Sequence, residues 1–131
     1  MAQVAETEIR ELIARWEQAV RDEDFARIRA HHADDFLMFD VPPPFQSRGL
    51  NAYMETWKIF YQSQARPITF YFEQIEVTAA EDVAFATAIG TCGYIEHGVK
   101  TDLKFRLTMG FQKRAGQWLI IHEHHSIPAE C

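Results

Sequence analysis

A change of period at Pro67 divides the chain into two parts that cannot share one kind of secondary structure. Before it, Ile9, Leu12, Ile13, Trp16 and Val20, and later Leu50, Tyr53, Met54, Trp57, Phe60 and Tyr61, recur at steps of three and four. That spacing predicts helices that each bury one stripe. After Pro67 the segments 68–78, 83–94, 100–112 and 118–127 read as strands. They are separated by the turn-prone runs Ala80-Glu81-Asp82, His97-Gly98 and Arg114-Ala115-Gly116, so hairpins should link them.

Finer punctuation lies in the first part. Helix one is expected to start near Thr7. Asp22 or Asp24 can cap a shorter second helix that carries Phe25 and Ile28, closed by His31, His32 and the Asp34-Asp35 pair. A strand over 36–41 must stop at Pro42, Pro43 and Pro44, which donate no ladder hydrogen bonds, so Asp40 sits at a strand end. A loop with Ser47, Arg48 and Gly49 precedes the third helix. Helices first and an antiparallel meander afterwards give an α+β fold, with three N-terminal helices covering one face of a curved, mainly antiparallel sheet.

The 131 residues suit a single domain over 1–131. Ten Phe, four Tyr and three Trp are generous, and aromatics in that number build a core or line a cavity. A formal net charge of -6 with scattered basic residues lacks the footprint that phosphate backbones require, so no nucleic-acid partner is expected. Met1 to Glu8 resembles neither a secretory signal nor a transit peptide, and no stretch reaches the length of a membrane span. Cys92 and Cys131 form no disulfide framework and no metal or redox spacing. A cytoplasmic protein without membrane attachment is the expectation.

A short turn around Ala115 and Gly116 would set Lys113 opposite Trp118 and fix the pairs behind it. Strict alternation then collects Leu107, Met109, Phe111, Trp118, Ile120, His122 and His124 on one face. Arg106, Thr108, Gly110, Leu119, Ile121, Glu123 and His125 fall on the other, with Arg106 opposite His125 and Thr108 opposite Glu123. Such a polar patch either faces solvent or forms the mouth of a cavity walled by the helices. His122 and His124 share a strand face at chelating spacing, but no further ligands are evident and no metal site is expected. His31 and His32 follow a helix end, where the dipole favours a cation. The apolar face would need a cover, which a homodimer through the sheet would supply.

Several features together carry a resemblance: Arg15-Trp16 in helix one, Phe39-Asp40 followed by prolines, Arg48-Gly49 opening helix three, and Trp118, His122, His124 and Ser126 in the closing strand. The chain resembles the nuclear transport factor 2-like superfamily, which includes ketosteroid isomerases, SnoaL-like polyketide cyclases and the calcium/calmodulin kinase association domain. The resemblance implies that Asp40 stands where the isomerases keep their general-base aspartate. Trp16 stands where they keep an oxyanion tyrosine, and the region of Thr108 where they keep a protonated aspartate, so that donor pair differs here. It also implies that His125 belongs to the pocket, which would turn the Arg106, Thr108, Glu123 and His125 face inward, and that two chains pair through the sheet.

These readings converge on a pocket for a small organic ligand. As an enzyme without organic cofactor, an isomerase, cyclase or hydrolase-type catalyst, the protein would move a proton on a small apolar carbonyl compound. Asp40 and His125 would be the catalytic residues, and Trp16, Tyr53, Trp57, Arg106, Thr108 and Glu123 the substrate contacts. A ligand-binding or assembly domain without chemistry is the alternative.

Overall fold

The computed structural model describes residues 2–129; Cys131 lies outside them, as does Met1 of the N-terminal segment. Helix α1 (Ala2–Arg21) buries Ala5, Ile9, Leu12, Ile13, Trp16, Ala19 and Val20, the stripe that its spacing demands. It begins before Thr7, because the polar residues ahead of the stripe continue the helix at the surface. Helix α2 (Phe25–Arg29) is capped by Asp24, whose carboxylate accepts from the Arg27 N–H at 3.1 Å.

His31, at φ 63°, turns the chain into β1 (His32–Phe39). The sequence assigns His32 and the Asp34-Asp35 pair to a helix end, but they belong to this strand. The first bridge of β1 pairs His32 with Ile120. The proline loop follows, then the short β2 (Ser47–Arg48), Gly49 at φ 92°, and helix α3 (Leu50–Gln62). That helix buries Leu50, Tyr53, Met54, Trp57 and Tyr61.

Strands β3 (Phe70–Ala79), β4 (Val83–Glu96), β5 (Val99–Arg114) and β6 (Gln117–Ser126) complete a six-stranded sheet of order β2-β1-β6-β5-β4-β3. All neighbours are antiparallel except β1 and β6, which run parallel. The first strand of the chain therefore lies beside the last, and residues far apart in sequence meet where both strands end. Helix α1 packs on β3 and α3 on β1, enclosing the core against one sheet face.

The β5–β6 turn has Ala115 and Gly116 both at positive φ, and Lys113 pairs with Trp118 as the turn predicts. Strict alternation then fails at one point. Phe111 pairs with Ile120, but Gly110 pairs with His122, so Ile121 is an extra residue on β6. A β-bulge of this kind flips the parity of everything beyond it. Gly110 carries no side chain, and Ile121 and His122 lie against the space that a Cβ there would occupy.

Glu123 and His125 consequently join Phe105, Leu107, Met109, Phe111, Trp118 and Ile120 on the helix-covered face. Arg106 and Thr108 are exposed on the opposite face with His122 and His124, and Arg106 Nε donates to Ser126 Oγ at 3.0 Å. The expectation that Arg106 and Thr108 share a face with Glu123 and His125 is thus corrected. So is the expectation of an uncovered apolar face: Leu107, Met109, Phe111, Trp118 and Ile120 are buried under the helices, and that argument for a homodimer through the sheet falls.

Gly90 on β4 pairs with Phe105 on β5, and a Cβ at position 90 would overlap the Phe105 ring. Gly90 therefore allows that ring to lie flat across the sheet. Replacing Gly90 by Ala forces the ring out of place, and overpacking of this kind should lower unfolding stability by about 1–3 kcal/mol, measurable by urea denaturation.

Candidate active site

Where β1 and β6 end side by side, Asp40, His125 and Glu123 form a line. The ladder stops at Asp40 because the prolines begin two residues later, and its Oδ1 accepts from the Val41 N–H at 2.8 Å. His125 Nδ1 lies 3.3 Å from the same Oδ1. On its other side, His125 Nε2 lies 3.1 Å from Glu123 Oε1. Glu123 Oε2 accepts from the Tyr53 hydroxyl at 2.9 Å and lies 2.9 Å from His32 Nε2. His32 Nδ1 faces the Ala30 carbonyl at 3.3 Å. Exposure is graded along the line, with side chains 26% exposed at Asp40, 12% at His125 and 0% at Glu123.

Each ionisation follows from these contacts. Burial works against charge on His125, but hydrogen bonds to Asp40 and Glu123 outweigh it and raise its pKa from 6.5 to about 9. At neutral pH the ring is an imidazolium between two carboxylates. Burial also opposes charge on Glu123, and hydrogen bonds from His125 and His32 overcome it, lowering its pKa from 4.5 to about 2. Burial first, and then the Glu123 charge, push the Tyr53 phenol upward, so it remains a donor. The Cys92 thiol is raised to about 11 by burial and by the charge of Asp40.

Asp40 and His125 border a half-open cavity of about 650 Å³ between α3, the proline loop and the ends of β1, β4, β5 and β6. Its walls are largely apolar, with Met38, Trp57, Phe60, Phe70, Leu103 and Phe105 among them. The lining contains no lysine or arginine. Three of its side-chain donors are engaged by backbone carbonyls. The Gln64 amide bonds the Gly93 carbonyl at 2.6 Å, Thr56 Oγ1 the Tyr53 carbonyl at 2.6 Å, and Ser63 Oγ the Phe60 carbonyl at 2.9 Å. The His125 Nδ1–H, held by one long contact, is the donor beside Asp40.

The structure brings together Asp40, His125, Glu123 and Trp57 of the residues singled out from sequence. Tyr53 is fully buried behind Glu123 and does not reach the cavity. Trp16 packs on His32, Trp57, Phe70 and Phe72 in the core, and its indole N–H has no partner. Arg106 and Thr108 lie across the sheet. His32 was missed as a site residue; the signal was its place opening a strand that pairs with β6. His122 and His124 flank the Phe39 ring on the face away from the helices, with His122 Nδ1 2.7 Å from the Leu37 carbonyl. Among the described residues no group of His, Cys, Asp and Glu is arranged to hold a metal ion, and no helix is long and apolar enough to cross a membrane.

A SnoaL-like domain model matches residues 9–130. The chain belongs to the SnoaL-like family. A nuclear transport factor 2-like protein of unknown function from Pseudomonas putida is 39% identical, with a TM-score of 0.90 over 99% of this chain and 91% of that one. More distant structures share the fold. One is a nuclear transport factor 2-like superfamily protein from Salmonella enterica (17% identity, TM-score 0.82, 98% of this chain and 94% of that one). Another is a ketosteroid isomerase-like protein from Erwinia carotovora (17% identity, TM-score 0.77, 92% and 94%). No match was found among curated proteins. The SnoaL-like fold is thus established, and its helices packed on a curved, mainly antiparallel sheet are those expected from the sequence, whereas the short strand Ser47–Arg48 was expected to be loop.

The raised pKa of His125 has a consequence for stability. The unfolded chain releases this proton near pH 6.5 and the folded chain near 9, so the stabilisation is fully present below 6.5 and is lost as pH rises through 9. Unfolding free energy measured in urea should fall from pH 6.5 to 9.5, and His125→Gln should flatten that decline.

Proposed function

We propose that this SnoaL-like protein is a cofactor-independent acid–base enzyme that moves a proton on a small, uncharged, largely apolar carbonyl compound. The observation that carries the reading is the contact of Asp40 with His125 on the wall of a largely apolar cavity. A carboxylate in such a cavity is a competent base, and an imidazolium beside it is a donor for developing negative charge.

Both contacts of Asp40 end on Oδ1, which leaves Oδ2 to meet a ligand. With a carbonyl carbon chain in the cavity, Oδ2 takes a proton from the carbon beside the carbonyl. The C–H electron pair passes into the enolate, and charge moves from Asp40 to the enolate oxygen. The His125 Nδ1–H follows that charge, exchanging its long bond to the now neutral Asp40 for a shorter one to the oxygen. Return of the proton from Asp40 to a carbon of the same molecule completes the cycle with no net gain or loss. The absence of lysine and arginine from the lining supports an uncharged ligand, since a buried carboxylate or phosphate would find only the His125 imidazolium, whose charge Asp40 and Glu123 already balance.

A second reading, a binding domain without chemistry, draws on the donors of Gln64, Thr56 and Ser63, which are held by backbone carbonyls and so are not free to bond an oxyanion. Deuterium uptake by a panel of cyclic ketones in D2O, followed by NMR, separates the two. Catalysed exchange should occur with at least one ketone and fall by ~10²–10⁴-fold in Asp40→Asn. Ketones that bind without exchange, or exchange that survives Asp40→Asn, would overturn the enzymatic reading.

A further inference from the structure

Behind the cavity lies a buried set of groups that the proton transfer does not touch. Glu123 is wholly excluded from solvent, yet its two oxygens face His125 from its own strand, His32 from β1 and Tyr53 from α3, at 3.1, 2.9 and 2.9 Å. A buried carboxylate persists only where donors surround it. Three side chains from three elements do so here, and one of them is the ring that meets Asp40.

We propose that Glu123 is the positioning residue of this site, with His32 and Tyr53 as its clamps: by holding Nε2 of His125 it fixes the ring so that Nδ1 points at Asp40 and the cavity. The inference rests on the acid–base reading for its purpose, but the arrangement can be tested without any substrate. Two hydrogen bonds from Tyr53 and His32 converge on Oε2 and fix the carboxylate plane, leaving Oε1 for His125. Phe105 closes the remaining side, its ring 5.4 Å from that of His125 between centroids. The charged and titratable groups that bear on His125 are Asp40 from the end of β1 and Glu123 from β6, and Cys92 from β4 borders the same cavity. The two carboxylates then have separate tasks. Glu123 has both oxygens engaged by three donors, whereas Asp40 keeps an oxygen for the ligand.

The test is a pH titration of the His125 ring by ¹H–¹³C NMR on the full chain without ligand, in the native protein, Glu123→Gln and Asp40→Asn. The native midpoint is expected near 9. Glu123→Gln should lower it by roughly one to three pH units, the range that one lost carboxylate partner produces. Asp40 is at the rim, so Asp40→Asn should fold even where Glu123→Gln does not. With Glu123 intact, its His125 midpoint should stay well above the ordinary 6.5. An unchanged midpoint in folded Glu123→Gln, or a fall to 6.5 in Asp40→Asn, would overturn the assignment. Failure of ketone exchange would leave these midpoints untouched, so the two readings fail separately.

Discussion

The ionised carboxylate of Glu123, wholly excluded from solvent, is the constraint on which the rest of this structure depends. Such a group is tolerated only if its oxygens are satisfied, and the donors must come from elements that would otherwise be independent. His32 opens β1, Tyr53 lies mid-way along α3, and His125 is two residues further along β6. Satisfying one carboxylate therefore fixes the third helix, the first strand and the last strand relative to one another. Apolar packing would permit small slides among these elements, whereas directional hydrogen bonds at 2.9–3.1 Å do not.

That constraint also accounts for the bulge at Ile121. Without it, the alternation beginning at Trp118 would carry Glu123 and His125 to the uncovered face, away from His32, Tyr53 and the cavity. One extra residue opposite Gly110 keeps Trp118 and Ile120 in the core and brings Glu123 and His125 in after them. The local loss of ladder regularity falls where Gly110 leaves space, and what it yields is a buried polar line rather than more apolar area.

Much of the fold was legible because it rests on periodicity and turn chemistry. The stripes of α1 and α3, the proline stop after Asp40, and the Lys113–Trp118 register all follow from local rules that the structure obeys. Asp40, Trp57 and His125 were read as pocket residues and border the cavity, whereas Glu123, read as a substrate contact, is buried behind His125. Two features were hidden for physical reasons. A bulge changes side-chain parity without changing composition, so Arg106 and Thr108 were assigned to the wrong partners while Glu123 and His125 kept the right side. The role of His32 depends on β1 running parallel beside β6, a long-range pairing that no local window contains.

The cavity and the polar line are two outcomes of one packing arrangement. Gly90 lets the Phe105 ring lie along the sheet, next to His125, and the proline loop holds the open side where the β1 ladder has ended. The space left between them is largely apolar, and the line from Glu123 emerges on its wall at His125 and Asp40. An imidazolium there is shared by two unequal acceptors: Glu123, fully buried and also approached by Tyr53 and His32, and Asp40, partly exposed with one oxygen unengaged. In the proposed reaction, a proton accepted at Asp40 would weaken only the outer of the two hydrogen bonds, so the ring could turn its Nδ1–H toward new charge while its inner anchor stayed fixed. On that proposal, reactivity is directed outward, into the cavity, by a carboxylate that lies behind His125 and outside the cavity lining.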